Sequence, residues 1–147
     1  MRLRKIWLLC NLVCIIPGAF AQQFIHPGVL HSEKSLERIK RLVDQKAQPA
    51  YGSYEILAKL PEARADYQMK GPFEIISRDG KYGYTKGPSE RDFNSAYYNA
   101  LLWKITGKKA HADKSMEIIR AYARTVRQIP PTNDAPLCAG LQGFILV

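Results

Sequence analysis

The chain has 147 residues with 22 Lys and Arg against 13 Asp and Glu, a formal charge of +9 at neutral pH. Of its three cysteines, Cys10 and Cys14 lie in an N-terminal apolar segment, so a domain built around internal disulfides is excluded. The three histidines have no paired spacing and no acidic partner motif. We therefore predict neither a metal site nor a cofactor.

The first 21 residues have the pattern of a secretory signal peptide. Three cations precede an apolar run over residues 6 to 16, and small residues lead to a predicted cleavage after Ala21. The run is shorter than the roughly 20 residues that a membrane-spanning helix needs. A lipoprotein anchor at Cys14 is disfavoured because Val13 stands where a small residue is expected. We predict a periplasmic or secreted protein with no stable membrane span after cleavage.

The exported part, residues 22 to 147, stays basic. It keeps 19 Lys and Arg against 13 Asp and Glu, a formal charge of +6. A positive surface attracts polyanions over about 8 Å at physiological salt, and outside the cytoplasm these are acidic polysaccharides and lipid headgroups. We predict a partner from these two classes of polyanion and no nucleic acid; a solvated basic surface is the alternative.

The first two predicted helices form a pair. Ser32 is a suitable N-cap for a helix over residues 33 to 47, whose apolar residues recur every three or four positions. A second helix is predicted over residues 50 to 60, between Pro49 and Pro61. The apolar stripe of the first consists of Leu36, Ile39, Leu42 and Val43.

Residues 62 to 91 are rich in glycine, proline, tyrosine and cations, which predicts a long loop with a short strand around residues 73 to 77. Loops of this length are usually functional or disordered. Tyrosine rings can stack on sugar faces, and cations pair with carboxylates, which favours a binding role. The candidate substrate-binding residues here are Arg78, Tyr82, Tyr84 and Lys86, followed by Arg91 and Asn94.

Two further helices complete a second pair. The third is predicted to begin at an S-x-x-D cap formed by Ser89 and Asp92 and to stop at Gly107. The fourth is predicted over residues 109 to 128. Its expected apolar stripe is Ala112, Met116, Ile119, Ala123 and Val126, and the expected core aromatics are Tyr97, Tyr98, Trp103 and Tyr122.

A fifth helix is predicted to start near Asp134 and to contain Cys138 as a buried thiol. The sequence stops at Val147 in an apolar run without a capping residue, so we expect the chain to be truncated in mid-helix. The predicted fold class is all-α: two antiparallel helical hairpins and the start of a third. Such hairpins build α-solenoids and α/α toroids.

Three segments resemble the N-terminal part of the alginate lyase family of bacterial polysaccharide lyases. They are "FIHPGVLHSEKSLERIKRLV", "YYNALLWKITGKKAHADKSMEIIRAY" and "DAPLCAGLQGFILV", and together they extend the likeness over residues 24 to 147. The most specific parts are W-K-I-T-G followed by H-A-D-K, and A-G-L-Q-G. The resemblance implies an incomplete α/α toroid whose cleft binds an acidic polysaccharide such as alginate and cleaves it by β-elimination.

The same resemblance implies where the chemistry lies. In the family, a tyrosine acts as acid or base while Asn, His and Arg neutralise the substrate carboxylate, and these residues are expected beyond Val147. The catalytic residues are therefore unknown here, and the fragment alone is expected to be inactive. The long loop corresponds to a region that covers the cleft, and Gln142, between two glycines, is a further substrate-binding candidate. We interpret His26, His31 and His111 as structural.

Two other readings remain open. A noncatalytic glycan-binding or scaffold protein built from helical repeats is suggested by "ITGKKAHADKSMEII", which resembles half of a tetratricopeptide unit. The first hairpin does not repeat this pattern, which disfavours an array. A lyase-fold protein that has lost its catalytic residues is the third reading.

Overall fold

A computed structural model describes residues 30 to 131 and Gly140. The predicted signal peptide, His26, the fifth helix, Cys138 and Gln142 lie outside the described residues. The described part is mostly helical, and it contains no strand, which confirms the all-α class for this part of the chain.

Four α-helices and two 3₁₀ helices make up the described structure. The α-helices are α1 (Glu33–Asp44), α2 (Ala50–Lys59), α3 (Lys86–Thr106) and α4 (Lys109–Thr125). The 3₁₀ helices, at Pro61–Ala63 and Gly80–Thr85, lead into and out of the long connection between α2 and α3. No helix in the described residues is both long and apolar enough to cross a bilayer.

Helix α1 begins as its sequence predicts. The Ser32 hydroxyl accepts a hydrogen bond from the Ser35 N–H at 3.2 Å, and Leu36 and Val43 are buried. The helix ends at Asp44, three residues earlier than predicted, because the chain then turns through Lys46 at a φ of 52°. Helix α2 has the predicted position but buries no residue, and Ile56 on it is 68% exposed.

Helix α3 begins at Lys86 rather than at Ser89, so the predicted S-x-x-D cap is wrong. The preceding 3₁₀ helix runs directly into α3, which places Ser89 inside the first turn, where its hydroxyl donates to the Lys86 carbonyl at 2.9 Å. Asp92 is fully buried instead of capping the helix. The predicted stop is confirmed: Gly107 has a φ of 72°, and its N–H donates to the Trp103 carbonyl at 2.7 Å.

The predicted apolar stripe of α4 is wrong. The buried residues are Ser115, Ile118 and Tyr122, while Met116 and Ile119 are 42% and 37% exposed. Tyr122 can face the core because its hydroxyl finds an acceptor there. Since apolar residues occupy two faces of α4, periodicity alone selected the wrong one.

The segment after α4 is extended. Helix α4 ends at Thr125, three residues before the predicted end, and the N–H groups of Arg127 and Gln128 both donate to the Glu74 carbonyl, at 2.8 and 3.2 Å. The Ile76 N–H in turn donates to the Gln128 carbonyl at 3.2 Å. The strand predicted around residues 73 to 77 is therefore reduced to an isolated parallel bridge between Ile75 and Gln128.

The packing joins two helix pairs. Helix α1 contacts α2 and α3, and α3 contacts α4 across a connection of only two residues. A buried hydrophobic cluster lies between α3, α4 and the connection before α3, and it contains Tyr67, Phe93, Ala96, Ile118 and Tyr122. Among the predicted core aromatics, Tyr122 is confirmed, Tyr97 and Tyr98 are half-buried, and Trp103 is 40% exposed.

Candidate functional site

The predicted tyrosines lie on the 3₁₀ helix Gly80–Thr85, beside a lysine. Tyr84 is 68% exposed, and its ring meets Phe73 edge to face at a centroid distance of 6.2 Å. Lys81 places its Nζ atom 5.4 Å from the ring centroid of Tyr82. Since residues three apart share a face of a 3₁₀ helix, Lys81 and Tyr84 project from the same side. We call Lys81, Tyr82 and Tyr84 the tyrosine–lysine patch.

The other predicted binding residues in the described part of the chain lie just before the 3₁₀ helix and on α3. Arg78 is exposed and precedes the 3₁₀ helix, while Lys86 pairs with Glu90 at 3.1 Å, which offsets its charge. Arg91 is exposed and Asn94 half-buried; three residues apart, they share a face of α3. Lys81 was not among the predicted binding residues, although it lies three residues before Tyr84 in the sequence.

Buried hydroxyls hold the patch in place. The Thr85 Oγ1 atom accepts from the Ser77 N–H at 3.0 Å and donates to the Tyr82 carbonyl at 2.8 Å. The Ser77 hydroxyl donates to the Asp79 carbonyl at 3.0 Å, and Ser77 and Thr85 are 4% and 1% exposed. These bonds give the segment a defined structure, contrary to the alternative of a disordered loop.

A buried carboxylate anchors the start of the same connection. Asp92 accepts hydrogen bonds from the hydroxyls of Tyr67 at 2.9 Å and Tyr122 at 2.7 Å. It also accepts from the backbone N–H groups of Lys70 and Gly71, at 2.9 and 2.8 Å. We call these five residues the Asp92 cluster. It joins α3, α4 and the connection, and four donors compensate for the burial of the carboxylate.

The tyrosines of the Asp92 cluster are held protonated. Burial first, and the hydrogen bond to Asp92 second, raise the pKa of both Tyr67 and Tyr122 well above its usual value. Gly71 lies directly against the Tyr122 hydroxyl, so a Cβ atom there would collide with it. The glycine is therefore required by close approach.

A pocket of about 400 Å³ lies on another part of the molecule, where α2, the chain after it, the end of α3 and the start of α4 meet. Its polar lining includes Tyr54, Arg64, Asp66, Lys108 and His111. Burial first, and the charge of Lys108 second, lower the pKa of His111, so its imidazole is neutral at pH 7. We call this the His111 pocket.

The orientation of the His111 ring is fixed by a hydrogen bond to Asn99. Its Nδ1 atom is 2.7 Å from the Asn99 Oδ1 atom, and Asn99 is fully buried. The Asn99 Nδ2 atom donates to the carbonyls of Ser95 at 2.9 Å and Glu62 at 3.2 Å. Because carbonyls surround that end of the amide, Oδ1 must be the end that faces His111, and Nδ1 must carry the proton.

Within residues 30 to 131, no group of three or more His, Cys, Asp or Glu side chains could hold a metal ion. Comparisons with protein-family models, curated proteins and solved structures found no match to this chain.

Proposed function

We propose that this chain is part of an exported lyase that binds an acidic, uronate-containing polysaccharide such as alginate and cleaves it by β-elimination. The observation that carries the proposal is the tyrosine–lysine patch, in which the exposed ring of Tyr84 shares a face with the cation of Lys81. An exposed ring suits the apolar face of a sugar, and a neighbouring cation suits its carboxylate.

The anchoring of the patch supports a binding role. A surface that must hold a polymer gains affinity when its side chains are already positioned, since less conformational entropy is lost on binding. The patch is fixed by the buried bonds of Ser77 and Thr85, and the connection that carries it is fixed by the Asp92 cluster. Arg78, Arg91 and Asn94 would extend contact along the polymer.

The proposed chemistry is removal of the proton next to a uronate carboxylate, followed by departure of the glycosidic oxygen. That proton is removable only when the carboxylate charge is offset, which is the function of the family's Asn, His and Arg. The resemblance assigns these residues, and the tyrosine that moves the proton, to sequence beyond Val147. In this proposal, the described helices form part of an α/α toroid and contribute to binding.

The test uses the protein expressed from the gene read past codon 147. Incubation with alginate, polygalacturonate or polyglucuronate should produce unsaturated ends, detected by their ultraviolet absorbance. Tyr84→Ala should weaken the apparent affinity for the polymer while leaving the maximal rate within about twofold, because stacking here acts on binding. Asp113→Asn, at an exposed ion pair on α4, is the matched control and should change neither.

Two results would count against this proposal in different ways. If no uronate polymer yields unsaturated ends but polymer binding depends on Tyr84, the noncatalytic glycan-binding reading is correct. If polymer binding is also insensitive to Tyr84 and Lys81, the patch has no part in polysaccharide recognition.

A further inference from the structure

The His111 pocket presents one hydrogen-bond acceptor whose chemistry is settled by its surroundings. Since Nδ1 of the neutral ring donates to Asn99, Nε2 carries the lone pair. Asn99 is fully buried and is not part of the pocket lining, so the Nδ1 edge of the ring faces away from the pocket. No residue in the described part of the chain hydrogen-bonds to Nε2. The pocket therefore offers an acceptor to which an O–H or N–H group of a ligand can donate.

The charged residues around the pocket indicate which charge a ligand would carry. Arg64 donates two hydrogen bonds to the Asp66 carboxylate, at 2.8 and 2.7 Å, so these two charges offset each other. Lys108 has no ion-pair partner among the described residues, and its charge remains. A ligand with one negative charge would balance it.

The remaining lining residues indicate that a ligand would have a non-polar surface, and the volume of the pocket limits its size. Tyr54 supplies an aromatic wall, and Ala58, Ala63 and Leu102 supply small or apolar surface. A volume of about 400 Å³ is near the lower end of the range of about 300–1,000 Å³ that is usual for small-molecule sites. A single ring with hydroxyl groups and one carboxylate combines these properties.

We propose that the His111 pocket is a second binding site, which takes a hydroxylated monocarboxylate of the size of one uronic acid residue. A ligand hydroxyl donates to His111 Nε2, the carboxylate pairs with Lys108, and the ring lies against Tyr54. The site is separate from the tyrosine–lysine patch, and the proposal does not depend on lyase activity.

The test follows binding of sodium glucuronate to the full chain by NMR titration, with the His111 ring nitrogens as reporters. The Nε2 resonance should shift on binding while Nδ1 stays protonated. His111→Asn keeps a donor where Nδ1 stands but lacks the Nε2 acceptor, and it should weaken binding about tenfold. Lys108→Gln should do the same by removing the charge, and neutral glucose should bind the unaltered protein about tenfold more weakly than glucuronate.

Thermal unfolding separates this role from a structural one. Lys108→Gln changes an exposed side chain and should leave the melting temperature unchanged, so it remains informative even if His111→Asn fails to fold. Tyr84→Ala should leave glucuronate binding to the pocket intact. The proposal is overturned if glucuronate does not bind. It is also overturned if Lys108→Gln binds glucuronate as tightly as the unaltered protein does and the unaltered protein binds glucose as tightly as glucuronate.

Discussion

Asp92 shows how one residue can be misread from sequence. In "PSERDF" an acidic residue three positions after a serine fits a helix cap, and nothing local indicates that it is buried. Its four donors come from residues 67, 70, 71 and 122, which are 21 to 30 positions away. Tyr122 was predicted in the core, but the carboxylate that bonds to its hydroxyl could not be predicted without the fold.

Asp92→Asn should destabilise the protein by about 2–4 kcal/mol. The amide has one acceptor oxygen instead of two, and its NH₂ group would face buried donors that then lose their partner. Urea unfolding monitored by circular dichroism measures the loss. Asp113→Asn, at a surface ion pair, should change the free energy of unfolding by no more than about 0.5 kcal/mol. Equal stabilities of the two variants would contradict a structural role for the Asp92 cluster.

The raised tyrosine pKa values make stability depend on alkaline pH. Unfolded tyrosines ionise near pH 10, whereas Tyr67 and Tyr122 stay protonated in the folded state. Their contribution to the free energy of unfolding is therefore complete below about pH 10 and is lost as pH rises above that value. In Tyr122→Phe, the free energy of unfolding should fall less steeply as pH rises above about 10. The difference in slope should be up to about 1.4 kcal/mol per pH unit.

Urea titrations at a series of pH values above 10 measure this slope. Tyr84→Phe removes a hydroxyl from an exposed ring outside the cluster and should keep the slope of the unaltered protein. An unchanged slope in Tyr122→Phe would show that this hydroxyl ionises as readily in the folded chain as in the unfolded one.

At the level of elements, the sequence predicted the helices better than their faces. All four described helices were expected, and the stop at Gly107 was correct because a left-handed C-cap has a local sequence signal. The predicted start of α3 was wrong because it depends on the preceding 3₁₀ helix. The predicted buried face of α4 was wrong because it depends on the partner helix. The predicted binding tyrosines lie on one short element, but the His111 pocket combines four segments and had no sequence signal.

The Gly107 cap gives a prediction with a matched control at the same position. Apart from its chain neighbours, a Cβ atom at Gly107 would meet nothing within 4 Å, but the residue has a positive φ of 72°. Gly107→Ala should therefore destabilise by about 1 kcal/mol, and Gly107→Asn, whose side chain tolerates the left-handed conformation better, should destabilise by less. Thermal or urea unfolding of both variants measures the difference. Equal losses of stability in the two variants would mean that factors other than backbone conformation dominate.

For the whole molecule, charge and aromatic contact would make separable contributions to the proposed polymer binding. Residues 22 to 147 have a formal charge of +6, and attraction between such a surface and a polyuronate is screened as salt rises. The Debye length falls from about 10 Å at 0.1 M salt to about 3 Å at 1 M. Stacking of a tyrosine ring on a sugar is not screened in this way, so it should persist after the electrostatic contribution has been lost.

Retention on immobilised alginate should therefore fall as salt rises, but part of the retention should persist at about 1 M salt. Tyr84→Ala should remove that part. Lys81→Gln should lower retention more at about 0.1 M than at about 1 M. Lys34→Gln, which removes the same charge from α1, measures the effect of net charge alone and should have a smaller effect than Lys81→Gln at low salt. If the two lysine variants behave alike and Tyr84→Ala has no effect at high salt, the attraction is a property of net charge and not of the tyrosine–lysine patch.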